Sequence, residues 1–463
     1  MNDIVQTIKQ EKQVYISTIL MMALFTFLFL GIEYLFVDMI SLSTSSKHSV
    51  WAQNCMLGMS SLGFLLFPIY NRIFKQKHEK IKIIFFSLIT IICIFVIYNH
   101  LSYQITFIAG LILFLTLGFL GSVTFYKAAN ILQNSQYLAR FVGVSYMIGI
   151  IFQFLNNNLV SSRIVEVCIL SIVMFIFMII LNNQKTQAFN QYNEKHDSNI
   201  RSVMISLILL IILMSCVFST LDNAVTLVHA SGVVDIGQLP RILLALSGLI
   251  AGIIFDFQNR KFMCPVMYCM MLLSTLCIIV LKFSEPFLIG LIIFYMTAGF
   301  FVVFFTTSFM ELSYYTYYPD LWAGLGRALN NMTAALFTTY SLKIVSLHTD
   351  IKMTIYIVLL YVLISMITFV YIYQRNKMTE RITSVNKERS KEERLALIQN
   401  EFSFTPRETE VFDCLVSCED SIQMIADHLY ISKRTLERYI SSIYKKTGVK
   451  SRIGLINIYN QKT

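Results

Sequence analysis

A cluster of basic side chains near the end of the 463-residue sequence could bind an anionic polymer. Residues 432–452 read SKRTLERYISSIYKKTGVKSR, and residues 431–463 hold eight Lys or Arg and one acidic residue. The preceding residues 403–430 have one basic and six acidic residues. Ammonium and guanidinium groups neutralise phosphates, and an Arg can donate two parallel hydrogen bonds to a guanine edge. The pattern therefore favours nucleic-acid binding over the alternative, an ordinary solvated basic helix.

Capping residues predict the helices that position these side chains. The stretch Thr405–Glu408 reads TPRE, a capping box with Pro at the first helical position. Ser421 and Ser432 can cap two further helices, Gly448 suits a left-handed end to the third, and Ser451 can cap a short last helix. Because only a three-residue break separates the second and third helices, the segment fits a helix-turn-helix, whose second helix enters the DNA major groove.

Apolar spacing predicts which sides of these helices face the core. One side of each helix is expected to be buried. The buried residues would be Val411, Phe412, Leu415 and Val416 in the first helix, Ile422, Ile425, Ala426 and Leu429 in the second, and Leu436, Ile440 and Ile443 in the third.

These motifs together resemble the LuxR-type helix-turn-helix domain over about 60 residues. The match rests on Thr405–Glu408, Ile425-Ala426 with Leu429, Ser432 with Thr435-Leu436, and Lys446, Gly448, Val449, Ser451 and Arg452. The sequence departs from the family at Leu436, Tyr439 and Gln423, where Val, His and Lys are usual. The resemblance implies binding to double-stranded DNA, at a promoter or operator, as a homodimer.

The resemblance also assigns roles to the exposed side of the third helix. Glu437, Arg438 and Ser441 correspond to family positions that face base edges. Arg438 could bind guanine, and Glu437 could accept a hydrogen bond from cytosine. Phosphate contacts are expected from the remaining candidates, which are Lys433, Arg434, Thr435 and Lys445.

The rest of the chain has the composition of a membrane protein. The sequence is 56% hydrophobic and 14% charged, whereas soluble domains carry about 25% charged residues. Apolar runs of about 20 residues recur along the first 374 positions, long enough to cross a lipid bilayer. Twelve spans are expected, at about 14–37, 50–71, 81–99, 102–126, 138–160, 164–182, 202–227, 237–257, 262–282, 286–311, 322–346 and 351–374.

Loop charge predicts the orientation of these spans. Lys and Arg concentrate in loops 72–82, 127–140, 183–201 and 257–261, which alternate with loops poorer in basic residues. The positive-inside rule then places both termini in the cytoplasm, as an even number of spans requires. We therefore expect a multi-pass protein of a bacterial plasma membrane.

The polar stretch between the sixth and seventh spans divides them into six plus six, as in many transporters. The sequence GIIFDFQNRK resembles the loop motif of the major facilitator superfamily, matched by Gly252, Asp256, Arg260 and Lys261. In that family the motif helps to hold the cytoplasmic faces of the two halves together. The first-half copy, GFLLFPIYNR, has Phe67 where Asp would stand, so this departure counts against active transport.

The predicted fold is all-α: a facilitator-like twelve-helix transmembrane bundle with a small C-terminal four-helix helix-turn-helix domain. The expected boundaries are 1–182 for the first half, 183–201 for a cytoplasmic central loop, 202–374 for the second half, 375–402 for a cytoplasmic linker and 403–463 for the DNA-binding domain.

Three ionisable residues within or beside the spans are candidates for binding a ligand. Glu33 lies in the first span, Asp222 in the seventh and Arg241 at the start of the eighth, all toward the outer side. Together they could bind a small polar or cationic molecule. The alternative is placement at the membrane interface with access to water.

Three functions fit these observations. The first is a membrane-embedded one-component transcriptional regulator with a transporter-like sensor, the second a transporter with a regulatory DNA-binding tail, and the third a tether that binds DNA constitutively. The sequence contains no P-loop, nucleophile elbow or metal-ligand spacing, so we expect no enzyme activity, cofactor or metal.

Overall fold

The computed structural model describes residues 2–74, 79–133, 135–184, 198–230, 240–283, 287–346 and 351–461. These residues form sixteen helices and no strand, which confirms the predicted all-α fold. The chain divides into two compact units, Met1–Gln374 and Arg375–Thr463. Of the expected central loop 183–201, residues 185–197 lie outside the described residues.

Twelve helices supply the first unit, matching the number of expected spans. They are α1 Asn2–Ser41, α2 Ser46–Phe74, α3 Glu79–Asn99, α4 Tyr103–Leu132, α5 Leu138–Leu159, α6 Arg163–Asn183, α7 Ser198–Ala230, α8 Pro240–Phe255, α9 Met263–Phe283, α10 Phe287–Ser313, α11 Pro319–Ser346 and α12 Ile351–Glu401, of which α12 also enters the second unit. Nine of these helices contain, within their described residues, a stretch long and apolar enough to cross a membrane. The first unit is therefore a membrane domain.

Small residues let the two six-helix halves approach closely where α5 packs against α8. A Cβ at Gly143 would lie 2.6 Å from the carbonyl oxygen of Gly248. A Cβ at Gly252 would lie 2.6 Å from the carbonyl oxygen of Ala139. The close packing of α5 on α8 thus requires glycine at this position of the loop motif, because any larger residue would push the two backbones apart.

Four short helices form the second unit together with the end of α12. They are α13 Pro406–Ser417, α14 Ile422–His428, α15 Lys433–Thr447 and α16 Arg452–Gln461. Most of the expected core positions are buried, but Ile422 is 42% exposed and does not face inward. Ile422 is the first residue of a helix of only two turns, so the apolar spacing there has little predictive value.

The segment expected as a linker is helical as far as Glu401. Its last turns belong to the core of the second unit, where Ile398 is fully buried among side chains that include Val411 and Leu455. The Lys391 ammonium lies 2.7 Å from an Asp413 carboxylate oxygen on α13. The helix-turn-helix core therefore begins upstream of residue 403.

Candidate nucleic-acid interface and membrane cavity

The candidate recognition helix α15 begins and ends at the expected caps. The Ser432 hydroxyl accepts a hydrogen bond from the Thr435 backbone N–H at 3.1 Å. At the other end Gly448 has φ +74°, a conformation that favours glycine, and its N–H donates to the Tyr444 carbonyl at 2.9 Å. Because α15 is fixed at both ends, its side chains have a defined direction.

Glu408 joins α13 to α15. Its carboxylate accepts from the Thr405 N–H at 2.8 Å, completing the capping box, and also from Ser442 Oγ at 2.6 Å and Lys446 Nζ at 2.7 Å. Burial opposes the charged form of Glu408, but these hydrogen bonds outweigh it and lower its pKa to about 2. The capping box was predictable from the sequence, whereas the contacts with α15 depend on tertiary packing.

Arg452 braces the end of α13 from the start of α16. Its Nε donates to the Leu415 carbonyl at 2.7 Å and its Nη1 to the Asp420 carbonyl at 2.9 Å. The arginine of the family motif therefore has a structural role here, because it satisfies the Leu415 carbonyl, which the end of α13 leaves without an intrahelical partner, and the Asp420 carbonyl between α13 and α14.

The structure places all seven candidate DNA-contacting residues on α15. Leu436 and Ile443 are fully buried on the opposite side of the helix. Thr435 is half-buried, and its hydroxyl lies 2.7 Å from that of Ser432. The other six candidates are exposed, which are Lys433, Arg434, Glu437, Arg438, Ser441 and Lys445.

In the first unit, Glu33, Asp222 and Arg241 line one cavity of about 120 Å³. Residues of both six-helix halves surround this cavity. The Glu33 carboxylate accepts from Gln53 Nε2 at 2.7 Å, and Arg241 donates to the Gln153 side-chain oxygen. The sequence thus identified three residues that the fold brings together from α1, α7 and α8.

A fourth charged residue of this cavity, Arg327 on α11, was missed from the sequence. Its guanidinium carbon lies 5.1 Å from the centre of the Phe29 ring and 5.8 Å from that of Phe305. The available signal was an arginine inside the eleventh expected span, since charges within spans are rare and mark functional sites.

The loop motif lies where α5 meets α8. The Asp256 carboxylate accepts from the backbone N–H groups of Ala139 at 3.0 Å and Arg140 at 2.8 Å, at the start of α5. Arg260 Nε donates to Glu311 Oε1 at 3.0 Å, and Arg260 Nη1 lies 3.6 Å from Asp256 Oδ1. Burial raises the pKa of Asp256, against the opposing effect of the two backbone donors and Arg260. Gly252 packs against α5 as described above, and Lys261 is exposed.

The corresponding junction of α2 with α11 lacks an aspartate at the motif position. Phe67 at that position is buried against α4, with its ring centre 5.6 Å from that of Phe119. Asn71 Nδ2 donates to Asp320 Oδ2 at 3.0 Å, and the Arg72 guanidinium carbon lies 3.9 Å from the centre of the Tyr318 ring. The side chain at the motif position thus packs within the first half, and the contacts from the end of α2 toward the start of α11 come from Asn71 and Arg72.

Comparison with known proteins identifies the second unit. The family model of bacterial regulatory proteins of the luxR family, GerE, matches residues 402–459. The C-terminal region is therefore a LuxR-type helix-turn-helix domain, as its motifs predicted, and such a domain binds DNA. No curated protein matches the chain at the sequence level.

Solved structures identify the fold of the first unit. The human organic anion transporter MFSD10 (TETRAN) is similar with a TM-score of 0.56 and 12% identity, covering 78% of this chain and 99% of that one. The Major Facilitator Superfamily transporter FucP, in the outward conformation, has a TM-score of 0.50 and 11% identity, covering 78% of this chain and 99% of that one. At these identities the likeness shows the fold alone, which confirms the facilitator-like prediction.

Proposed function

We propose that this protein is a membrane-embedded one-component transcriptional regulator, in which the transporter-like bundle senses a small molecule and controls the LuxR-type domain. The observation that carries the proposal is the presence of both parts on one chain: a DNA-binding domain, and a membrane fold with a charged cavity between its halves. We further propose a bacterial plasma membrane, with both termini in the cytoplasm, because DNA binding requires that side and the basic loops favour it.

The proposed DNA contacts follow from the exposed side of α15. Lys433, Arg434, Thr435 and Lys445 would bind phosphates and fix the register, while Glu437, Arg438 and Ser441 would read base edges. A homodimer on the operator would place two copies of α15 in successive major grooves.

Arg438→Ala tests the base-reading role. We expect it to weaken binding by roughly 1–3 kcal/mol at one operator position and to relax the base preference there. Arg434→Ala is the matched control, because loss of a phosphate contact should weaken binding to all sequences alike. Binding-site selection with both variants separates the two effects, and an unchanged base preference in Arg438→Ala would refute the assignment.

Sensing would use the cavity that Glu33, Asp222 and Arg241 line. A ligand can shift the bundle only if it binds two of its states with different affinity. The contact of Asp256 with the start of α5 is a suitable element to differ between such states, because it joins one half to the other.

Promoter occupancy tests the regulator against its two alternatives. We would compare the full chain with residues 375–463, measuring occupancy by chromatin immunoprecipitation across candidate small molecules. A regulator predicts that only the full chain responds to a compound. Equal and unresponsive occupancy of the two would favour a constitutive tether instead.

A transporter with a regulatory DNA-binding tail is the second candidate. It is supported by the facilitator fold and by the proteins with that fold named above, which are described as transporters. Phe67 at the motif position of the first half counts against it. Uptake of a labelled compound into vesicles containing the purified chain would support transport, and binding without uptake would support sensing.

A further inference from the structure

Two charged side chains of the cavity have no hydrogen-bond or ion-pair partner among the described residues, and their charges are opposite. They are Asp222 on α7 and Arg327 on α11, helices that pack against each other. Glu33 and Arg241, in contrast, each have an amide partner, Gln53 and Gln153. Both Asp222 and Arg327 are half-buried, so they stay accessible from the cavity.

Half-buried charged side chains inside a protein are normally paired, because removing a charge from water is unfavourable. At 4 Å, an acidic and a basic group near a protein surface attract each other by about 4 kcal/mol. The fold nevertheless keeps every acidic group of this cavity beyond ion-pair distance of both arginines, within the part of the chain that the structure describes. This arrangement is expected of a binding site in which the ligand supplies the oppositely charged partners of Asp222 and Arg327.

The formal charge of the four groups decides the class of ligand. Glu33 and Asp222 together balance Arg241 and Arg327, so a purely anionic ligand would meet two carboxylates and a purely cationic one two guanidiniums. A molecule with one group of each sign satisfies both sets. The aromatic rings of Phe29, Tyr146 and others that line the cavity suit a short apolar part between the two groups.

We propose that this cavity binds a small zwitterion, with its anionic group on Arg327 and its cationic group on Asp222. The guanidinium can bind a carboxylate through two parallel hydrogen bonds, and a carboxylate accepts readily from an ammonium. A volume of about 120 Å³ limits the occupant to a small molecule. The inference rests on the proposed sensing function and names the chemistry of what is sensed.

The test is binding to the purified full chain in detergent. The probes are the proteinogenic amino acids and γ-aminobutyrate, each compared with the matching acid that lacks the amine and the matching amine that lacks the acid. Thermal unfolding selects the probes that bind, and calorimetry gives their affinities. We expect at least one zwitterion to bind, with both of its single-charge analogues weaker by about tenfold or more.

Variants assign the two ends of the zwitterion. Arg327→Gln and Asp222→Asn should each weaken its binding by about tenfold or more, and Arg327→Lys, which keeps the charge without the paired donors, should fall between. Arg163→Gln, which changes an arginine outside the cavity, is the control and should leave affinity unchanged. The melting temperature without probe shows whether each variant is folded.

Three results would overturn the inference. The first is that no zwitterion in the panel binds. The second is that a single-charge analogue binds as tightly as its zwitterion while Asp222→Asn or Arg327→Gln has no effect. The third is a change in promoter occupancy caused only by molecules whose charges all have the same sign. That result would contradict the zwitterion but leave the sensing function intact. Conversely, zwitterion binding that never alters promoter occupancy would remove the sensing function and leave the site.

Discussion

Asp256 in the membrane unit and Glu408 in the DNA-binding unit are both buried carboxylates that join two helices. They are 7% and 5% exposed, and both accept from backbone N–H donors at the start of a helix, two for Asp256 and one for Glu408. Such placement favours the charged form of a carboxylate through the unpaired N–H groups and the helix dipole. From these backbone contacts alone, the pKa values of the two carboxylates would be expected to shift in the same direction.

Their remaining partners differ. Glu408 has Lys446 Nζ at 2.7 Å and Ser442 Oγ at 2.6 Å, and its pKa falls to about 2. The cations near Asp256 are more distant, with Arg260 at 3.6 Å and Arg140 at 3.9 Å, and burial raises its pKa. Glu408 therefore stays ionised at any physiological pH, whereas Asp256 accepts a proton more easily than an ordinary aspartate.

The difference fits the two structural tasks. Glu408 holds together a domain that must stay folded to bind DNA. Asp256 joins the two halves of the bundle, which under the proposed sensing function would shift relative to each other. Close side-chain donors make a carboxylate contact permanent, and burial with only distant cations leaves one that can be released.

The largest effect should come from Glu408→Ala. It removes the carboxylate that accepts from Lys446, Ser442 and the Thr405 backbone N–H, so we expect the free energy of unfolding of residues 375–463 to fall by about 2–4 kcal/mol. Urea denaturation followed by circular dichroism measures this. Glu410→Ala is the control, because its exposed pair with Arg407 should contribute no more than about 0.5 kcal/mol. Equal losses in the two variants would show that the Glu408 contacts add nothing beyond a surface pair.

The contrast between local and tertiary contacts explains what the sequence could predict. Thr405, Ser432 and Gly448 were identified correctly as caps because capping depends on residues three or four positions apart. The apolar runs were sufficient to predict twelve helices because bilayer thickness fixes their length. Ile398 was missed because the polar composition around it resembles a linker, and its burial depends on helices that follow it in the chain.

The charged cavity shows the same limit. Glu33, Asp222 and Arg241 could be selected one by one as charges in or beside apolar spans. That they line one cavity with Arg327 depends on how α1, α7, α8 and α11 pack, which no local spacing encodes. Likewise, Asp256 could be matched to a motif, but its bonds to the start of α5 could not be predicted from local spacing.

A smaller effect is expected from pH. The pKa of Glu408 is about 2 in the folded domain, below its ordinary value of 4.5. The ionised carboxylate therefore stabilises the fold fully above pH 4.5, and this contribution is lost as the pH falls from 4.5 toward 2. The loss should reach at most about 3 kcal/mol. Urea midpoints of residues 375–463 across this range should fall more steeply than those of Glu408→Gln, and parallel curves would contradict the low pKa.

The smallest effect should come from Asp256→Asn. Its raised pKa means that the folded chain holds the proton more tightly than the unfolded chain. Its contribution is thus fully present below pH 3.8 and is lost as the pH rises through the folded pKa. At neutral pH the asparagine removes an unfavourable buried charge and weakens the contacts with Arg260 and the start of α5, so the two changes largely offset each other.

We therefore expect Asp256→Asn to change the melting temperature of the full chain in detergent by no more than about 2 °C at pH 7. Arg260→Gln should lower the melting temperature by more than Asp256→Asn changes it, because Arg260 contacts both Asp256 and Glu311. Differential scanning fluorimetry of the three proteins at pH 7 provides the comparison. If Asp256→Asn destabilises the bundle as much as Glu408→Ala destabilises its own domain, the junction between the halves is held as permanently as the DNA-binding core, and the contrast between the two carboxylates fails.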